Sequence, residues 1–128
     1  MGKILIVDDD RSVVFMLAEV LRDAGHDVVT TLAAEEALGL LQGVDAALVD
    51  LHMPGDGGAV LVQRIHERDA SLPIILLTGD ARPSMHEVAR SLRVVEVMTK
   101  PLDIDELVAV LHRALLPSPT PARGTAIT

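Results

Sequence analysis

Short apolar runs alternate with amphipathic stretches along the whole chain. Ile4–Val7, Ala46–Val49, Ile74–Leu77 and a weaker Val94–Met98 are nearly continuous in apolar residues. Runs of this length suit strands buried on both faces, as in a parallel sheet covered by helices. Val28–Thr31 is more polar and suits a sheet edge. Between the runs, Leu17, Val20, Leu21 and Ala24 follow the spacing of one helical stripe, and Gly25 supplies a stop. Ala34, Ala37, Leu38 and Leu41 repeat the pattern ahead of Gly43, and Leu61, Val62 and Ile65 mark a third helix. Ser84 with Glu87, and Asp103 with Glu106, predict capping boxes; the second precedes the apolar series Leu107, Val108, Leu111 and Leu115. The order is βαβαβαβαβα, which predicts an α/β fold: a parallel sheet with right-handed crossovers and helices on both faces. Residues 117–128 carry Pro117, Pro119 and Pro121 without periodicity and read as a flexible tail or linker, leaving 1–116 as one folded domain.

Composition narrows the picture. The 128 residues fit one domain, and 49% hydrophobic residues supply a core. With Phe15 as the one aromatic residue, that core must be aliphatic. A formal charge of −8 and the lack of any basic run argue against direct binding of nucleic acid. The absence of cysteine excludes disulfides and thiol chemistry. The apolar run at the N-terminus is too short for a signal peptide, and no stretch approaches the roughly 20 residues that span a bilayer. The expectation is a cytoplasmic protein with no membrane partner.

Candidate chemistry sits where the strands end. Open parallel sheets bind ligands beyond the carboxyl ends of their strands. Asp8, Asp9 and Asp10 follow the first run, Asp50 ends the third, Thr78 the fourth, and Lys100 follows the fifth. Carboxylates brought together there repel one another unless a cation compensates. Hard oxygen ligands suit Mg²⁺, which is often completed by a phosphate oxygen. Beside them Lys100 would neutralise a phosphoryl group and Thr78 would hydrogen-bond it, while the Asp50 carboxylate acts as nucleophile and forms an acyl phosphate. Asp10 also has a plain structural reading as a helix N-cap.

Val7-Asp8-Asp9, Asp50-Leu51-His52-Met53-Pro54-Gly55, Leu77-Thr78-Gly79 and Thr99-Lys100-Pro101 together resemble the receiver domain of bacterial response regulators (CheY-like). Singly each motif is weak; four in order, across about residues 3–116, are specific. The resemblance implies a flavodoxin-like, doubly wound five-stranded sheet of order 2-1-3-4-5. It implies that Asp50 takes a phosphoryl group from a sensor histidine kinase or histidine phosphotransfer protein. Mg²⁺ would be held by Asp9, Asp50 and the backbone carbonyl of His52, with Asp8 reaching it through water. Thr78, Lys100 and backbone N–H groups near His52 and Gly79 would contact the phosphoryl oxygens, and Lys100-Pro101 would be cis. Such a domain is a signalling element rather than an enzyme, with at most self-catalysed phosphotransfer and autodephosphorylation. Its output passes to a downstream effector or to a homodimer formed on phosphorylation.

Several positions depart from the family pattern. Val97 stands where the family usually has Tyr or Phe, which removes the usual aromatic read-out. Glycines in Gly55-Asp56-Gly57-Gly58 are expected to loosen that loop. His52 and Asp80, two residues beyond Asp50 and Thr78, border the phosphoryl group in the family and are expected to control access of water. Val13-Val14-Phe15-Met16 covers a full helical turn, so at least one side chain faces outward beside the acidic site, either as a harmless exposed apolar group or as a docking surface for kinase or phosphotransfer helices. Two rivals remain. One is a phosphatase of the haloacid-dehalogenase type using Asp8 and Asp10; the other is a receiver that binds partners without phosphorylation.

Overall fold

The computed structural model describes residues 2–54 and 57–116; the Pro-rich tail, Gly55 and Asp56 lie outside them. Strands β1 (Lys3–Val7), β2 (Asp27–Thr31), β3 (Ala46–Asp50), β4 (Ile74–Thr78) and β5 (Glu96–Thr99) form one parallel sheet in the order β2-β1-β3-β4-β5. Helices α1 (Arg11–Asp23), α2 (Ala34–Ala37), α3 (Gly57–Arg68), α4 (Ser84–Leu92) and α5 (Ile104–Ala114) connect and follow them. This is the flavodoxin-like arrangement that the motifs implied.

Strand alternation splits the core in two. Ile4, Ile6, Ala46, Leu48, Ile75 and Leu77 face one cluster, closed by α1 and α5. Leu5, Val7, Ala47, Val49, Ile74 and Leu76 face the other, under α2, α3 and α4. Because both faces are covered, the inner strands are fully buried, which accounts for their unbroken apolar runs. The burial of α1 differs from its expected stripe. Val14, Leu17, Ala18 and Leu21 turn inward, while Val20 is half-buried and Ala24, already the C-cap, is exposed. Gly25 and Gly43 take positive φ, as chain stops require. The second helix is shorter than its periodicity suggests: it passes into a 3-10 turn at Leu38–Leu40, where Gly39 weakens α-helix.

Caps explain two helix starts and correct a third. Asp10 Oδ1 accepts from the N–H groups of Ser12 (2.9 Å) and Val13 (3.3 Å), and Asp103 Oδ1 accepts from Glu106 N–H at 3.1 Å. Ser84 does not cap α4. It is the first helical residue, and Pro83 before it has no side-chain oxygen to offer. The strand β5 begins at Glu96 rather than Val94, because the chain leaves α4 through Arg93 in the left-handed conformation (φ 60°).

The expected loosening by glycine is reversed at Gly58. Its N–H donates to Leu51 O at 3.0 Å, and a Cβ there would lie 2.2 Å from Asp50 O. Only a residue without a side chain lets α3 approach the end of β3 so closely. Gly58→Ala is therefore expected to destabilise the fold by about 1–3 kcal/mol, the range for overpacking a tight contact. Circular dichroism during denaturant unfolding would report it, since the chain has no Trp or Tyr for fluorescence. An unchanged midpoint would refute the close seating of α3. Removing the cap with Asp10→Ala is expected to cost about 1 kcal/mol by the same measurement.

Candidate functional site

The sheet order places β1 beside β3 while the chain detours through β2, so the ends of β1 and β3 border the switch point of the fold. Asp8 and Asp9 leave β1 there, and Asp50 ends β3. One carboxylate oxygen from each of the three lies within 4.8 Å of the others. Asp8 and Asp50 are buried, whereas Asp9 is exposed, so the cluster opens on one side. Three convergent carboxylates with an open face fit a divalent cation that keeps several waters, the donor chemistry suited to Mg²⁺.

Lys100 reaches this cluster from the end of β5. Its Nζ lies 2.7 Å from Asp8 Oδ2 and 3.5 Å from Asp50 Oδ2. The Lys100 backbone N–H donates to Thr78 O at 2.7 Å, and the following peptide to Pro101 is cis. The electrostatics match this crowding. Burial pushes the Asp50 carboxyl above its ordinary value and the Asp8 carboxylate pushes the same way, while the His52 N–H and Lys100 pull back only part of the shift. Burial works against the Lys100 ammonium, yet its bonds to Asp8 and Asp50 leave its pKa raised.

Asp8 and Asp50 are both held by backbone donors. Asp8 Oδ1 accepts from Asp10 N–H at 2.9 Å, and Asp50 Oδ1 accepts from His52 N–H at 3.0 Å. Thr78 is one residue beyond Leu77, the register partner of Asp50, and is fully buried. Its Oγ1 accepts from Asp80 N–H at 2.9 Å and lies 2.9 Å from His52 Nε2. This last contact has no signal in the sequence, because 26 positions separate the two residues and only strand register brings them together. Asp80 does not extend freely over the site. Its carboxylate is bound by the exposed Arg82 guanidinium, at 2.5 Å from Nη2, which holds it down at about 2. Asp10 stands outside the acidic cluster with its carboxylate committed to capping α1, which removes the second acid needed by a haloacid-dehalogenase-type mechanism.

Two apolar surface features lie on α1 and between α4 and β5. Val14 is buried, but Phe15 is 68% exposed and Met16 37% exposed. Phe15 lines a shallow cleft of about 320 Å³ with Arg22, Thr30 and Leu32, on the β2 side of α1. Val97 is half-buried and lines a second cleft, about 310 Å³, between α4 and β5.

Residues 4–112 match the family model for the response regulator receiver domain. Among curated relatives, the DNA-binding transcriptional regulator NtrC of Salmonella typhimurium is 34% identical over 116 residues, covering 89% of this chain and 25% of the relative. A response regulator receiver protein of Anaeromyxobacter is 35% identical, covering 84% of this chain and 46% of the relative. The chain thus spans between a quarter and a half of the length of these relatives. Among solved structures, chemotaxis protein CheY4 of Vibrio cholerae superposes with a TM-score of 0.84 at 29% identity, covering 90% of this chain and 99% of that one. A putative response regulator of Chloroflexus aurantiacus gives 0.83 at 33% identity, covering 89% and 97%.

The raised Asp50 carboxyl yields a signed expectation for stability. A carboxyl whose pKa is higher folded than unfolded makes the fold less stable once pH rises above its unfolded value. Asp50→Asn removes that penalty. Without added divalent cation the variant is expected to exceed wild type in stability at neutral pH, and the gap should narrow as pH falls through the raised Asp50 pKa. Thermal unfolding across a pH series would measure this, and a gap that widens in acid would contradict the burial effect.

Proposed function

The chain belongs to the response regulator receiver family, and on that premise we propose that Asp50 accepts a phosphoryl group from the phosphohistidine of a sensor histidine kinase or a histidine phosphotransfer protein. Receivers are phosphorylation-controlled switches of two-component signalling. The observation that carries the assignment is Lys100 Nζ set between Asp8 and Asp50, beside an acidic cluster open on one side. Such an arrangement neutralises an incoming phosphoryl group and leaves a buried carboxylate to receive it.

In this reading an oxygen of Asp50 attacks phosphorus as the bond to the donor imidazole breaks. The imidazole leaves and regains a proton, and an acyl phosphate remains on Asp50. Lys100 bonds an oxygen of the transferred group, Thr78 donates its hydroxyl to another, and backbone N–H groups near His52 and Gly79 take a share of the charge. Asp9, Asp50 and the backbone carbonyl of His52 would hold Mg²⁺, with Asp8 acting through water. The bound cation supplies positive charge that offsets the crowded carboxylates and the phosphoryl oxygens. The folded receiver is assigned to residues 1–116. The phosphorylated state would be read by a downstream effector or by a homodimer formed on phosphorylation.

Incubation with acetyl phosphate and Mg²⁺ is expected to add one alkali-labile phosphate, seen by intact mass. Asp50→Asn should abolish it, and Lys100→Ala should slow it by roughly two orders of magnitude, as for loss of a preorganised charge-stabilising donor. A wild-type chain that never acquires phosphate would favour a receiver acting only as a binding module, the reading kept open by Val97.

Exposed Phe15 fits a docking contact for the helices of the phosphodonor protein. Phe15→Ala is expected to slow transfer from a phosphorylated protein donor while leaving transfer from acetyl phosphate unchanged. Equal slowing from both donors would reject the docking role. Val14 is unsuitable for this test because it is part of the core.

A further inference from the structure

Thr78 has one hydroxyl proton, and its environment determines where that proton goes. A hydroxyl offers one donor and two acceptor sites. The Asp80 N–H occupies one acceptor site of Thr78 Oγ1, at 2.9 Å. His52 Nε2 lies 2.9 Å away on the same oxygen. The backbone of His52 is tied in turn to Asp50, through the N–H bond to Oδ1. One residue therefore touches the carboxylate to be phosphorylated through its main chain and the hydroxyl that should bind the phosphoryl group through its ring.

We propose that His52 is a latch on Thr78. In the unphosphorylated chain the neutral imidazole accepts the Thr78 proton at Nε2, so that the hydroxyl is committed away from the phosphoryl position. A phosphoryl group on Asp50 then takes over that proton: the O–H···N bond breaks, an O–H···O–P bond forms, and the ring is freed. No proton changes owner and no covalent bond is involved. The direction of exchange follows from bond strength, because a hydrogen bond to a charged oxygen is roughly twice as strong as one between neutral groups. The inference rests on Asp50 being the phosphoacceptor.

The freed ring has somewhere to go. His52 is exposed, in the loop between β3 and α3, and its release would change the surface there. In this chain Val97 has no ring to move and no hydroxyl to present on β5. The latch moves the read-out from β5 to the β3–α3 loop and makes His52 a positioning residue for phosphorylation, since it governs when Thr78 becomes available.

Two-bond ¹H–¹⁵N correlation spectra of histidine-labelled protein at about pH 8, above the ordinary imidazole pKa near 6.5, resolve the tautomer of each ring. The chain has five histidines, and His52→Asn identifies the signal in question. The resting protein is expected to show an unprotonated His52 Nε2. After incubation with acetyl phosphate and Mg²⁺, with phosphate on Asp50 verified by intact mass, the signal should move to the mixed tautomer pattern of a free ring. A resting ring protonated at Nε2, or a phosphorylated protein with an unchanged His52 signal, would overturn the latch while leaving the phosphoacceptor assignment intact. Absence of phosphate in the mass spectrum would overturn both. A second measurement follows the rate of phosphorylation by acetyl phosphate. His52→Ala should raise it several-fold in the wild-type background and leave it unchanged in Thr78→Val; equal effects in both backgrounds would remove the coupling on which the latch depends.

Discussion

Three carboxylates gathered within 4.8 Å repel one another, and the fold tolerates them because Lys100 is brought to the same place from the far end of the sheet. Asp8 and Lys100 are 92 positions apart in sequence yet 2.7 Å apart in space. Joining them requires β1, β3, β4 and β5 to lie in this order and to end level with one another. The compensation is incomplete: burial first, and the Asp8 carboxylate after it, leave the Asp50 carboxyl raised in spite of Lys100. Buried, crowded carboxylates of this kind favour a nearby cation, because added positive charge offsets both the burial and the repulsion.

Glycine and histidine refine that site in different ways. Gly58 seats the first turn of α3 against the backbone carbonyl of Asp50 and the chain just after it. His52 holds the Asp50 carboxylate with its N–H while its ring occupies Thr78. The result is a carboxylate held on one oxygen by a backbone N–H and on the other by the Lys100 ammonium. Asp80 is tied down beside them: its carboxylate is bound by Arg82, and its N–H serves Thr78.

Much of the fold was legible in the sequence because strands buried on two faces leave an unmistakable apolar run. The runs Ile4–Val7, Ala46–Val49 and Ile74–Leu77 sit inside β1, β3 and β4, and the strand order is the one that the resemblance to receivers implied. The carboxylates were legible too, since each stands at the end of a strand or within two residues of it. What the sequence hid depends on packing in three dimensions. The α1 stripe was displaced because Val14 and Ala18, not Val20 and Ala24, meet the sheet. Ser84 has the right spacing to Glu87 for a capping box, but the chain already turns helical at that residue. Glycines in a loop suggest looseness by composition alone, whereas at Gly58 the lack of a side chain permits contact. No local pattern encodes the ring of His52 against Thr78.

The alternation of the strands between two cores has a consequence for how such a protein can change over evolutionary time. Val49 belongs to one core, Leu48 to the other, and Asp50 continues the same alternation into the site. Inserting or deleting one residue within β3 would exchange the faces of its side chains and carry the carboxylate to the wrong side of the sheet. Substitution is thus open to most of the surface, but length is frozen wherever a strand leads to the rim. The exposed helix faces are the parts of the chain free to acquire new partners, and the distance from each strand's first residue to its carboxyl end is the part that must be inherited unaltered.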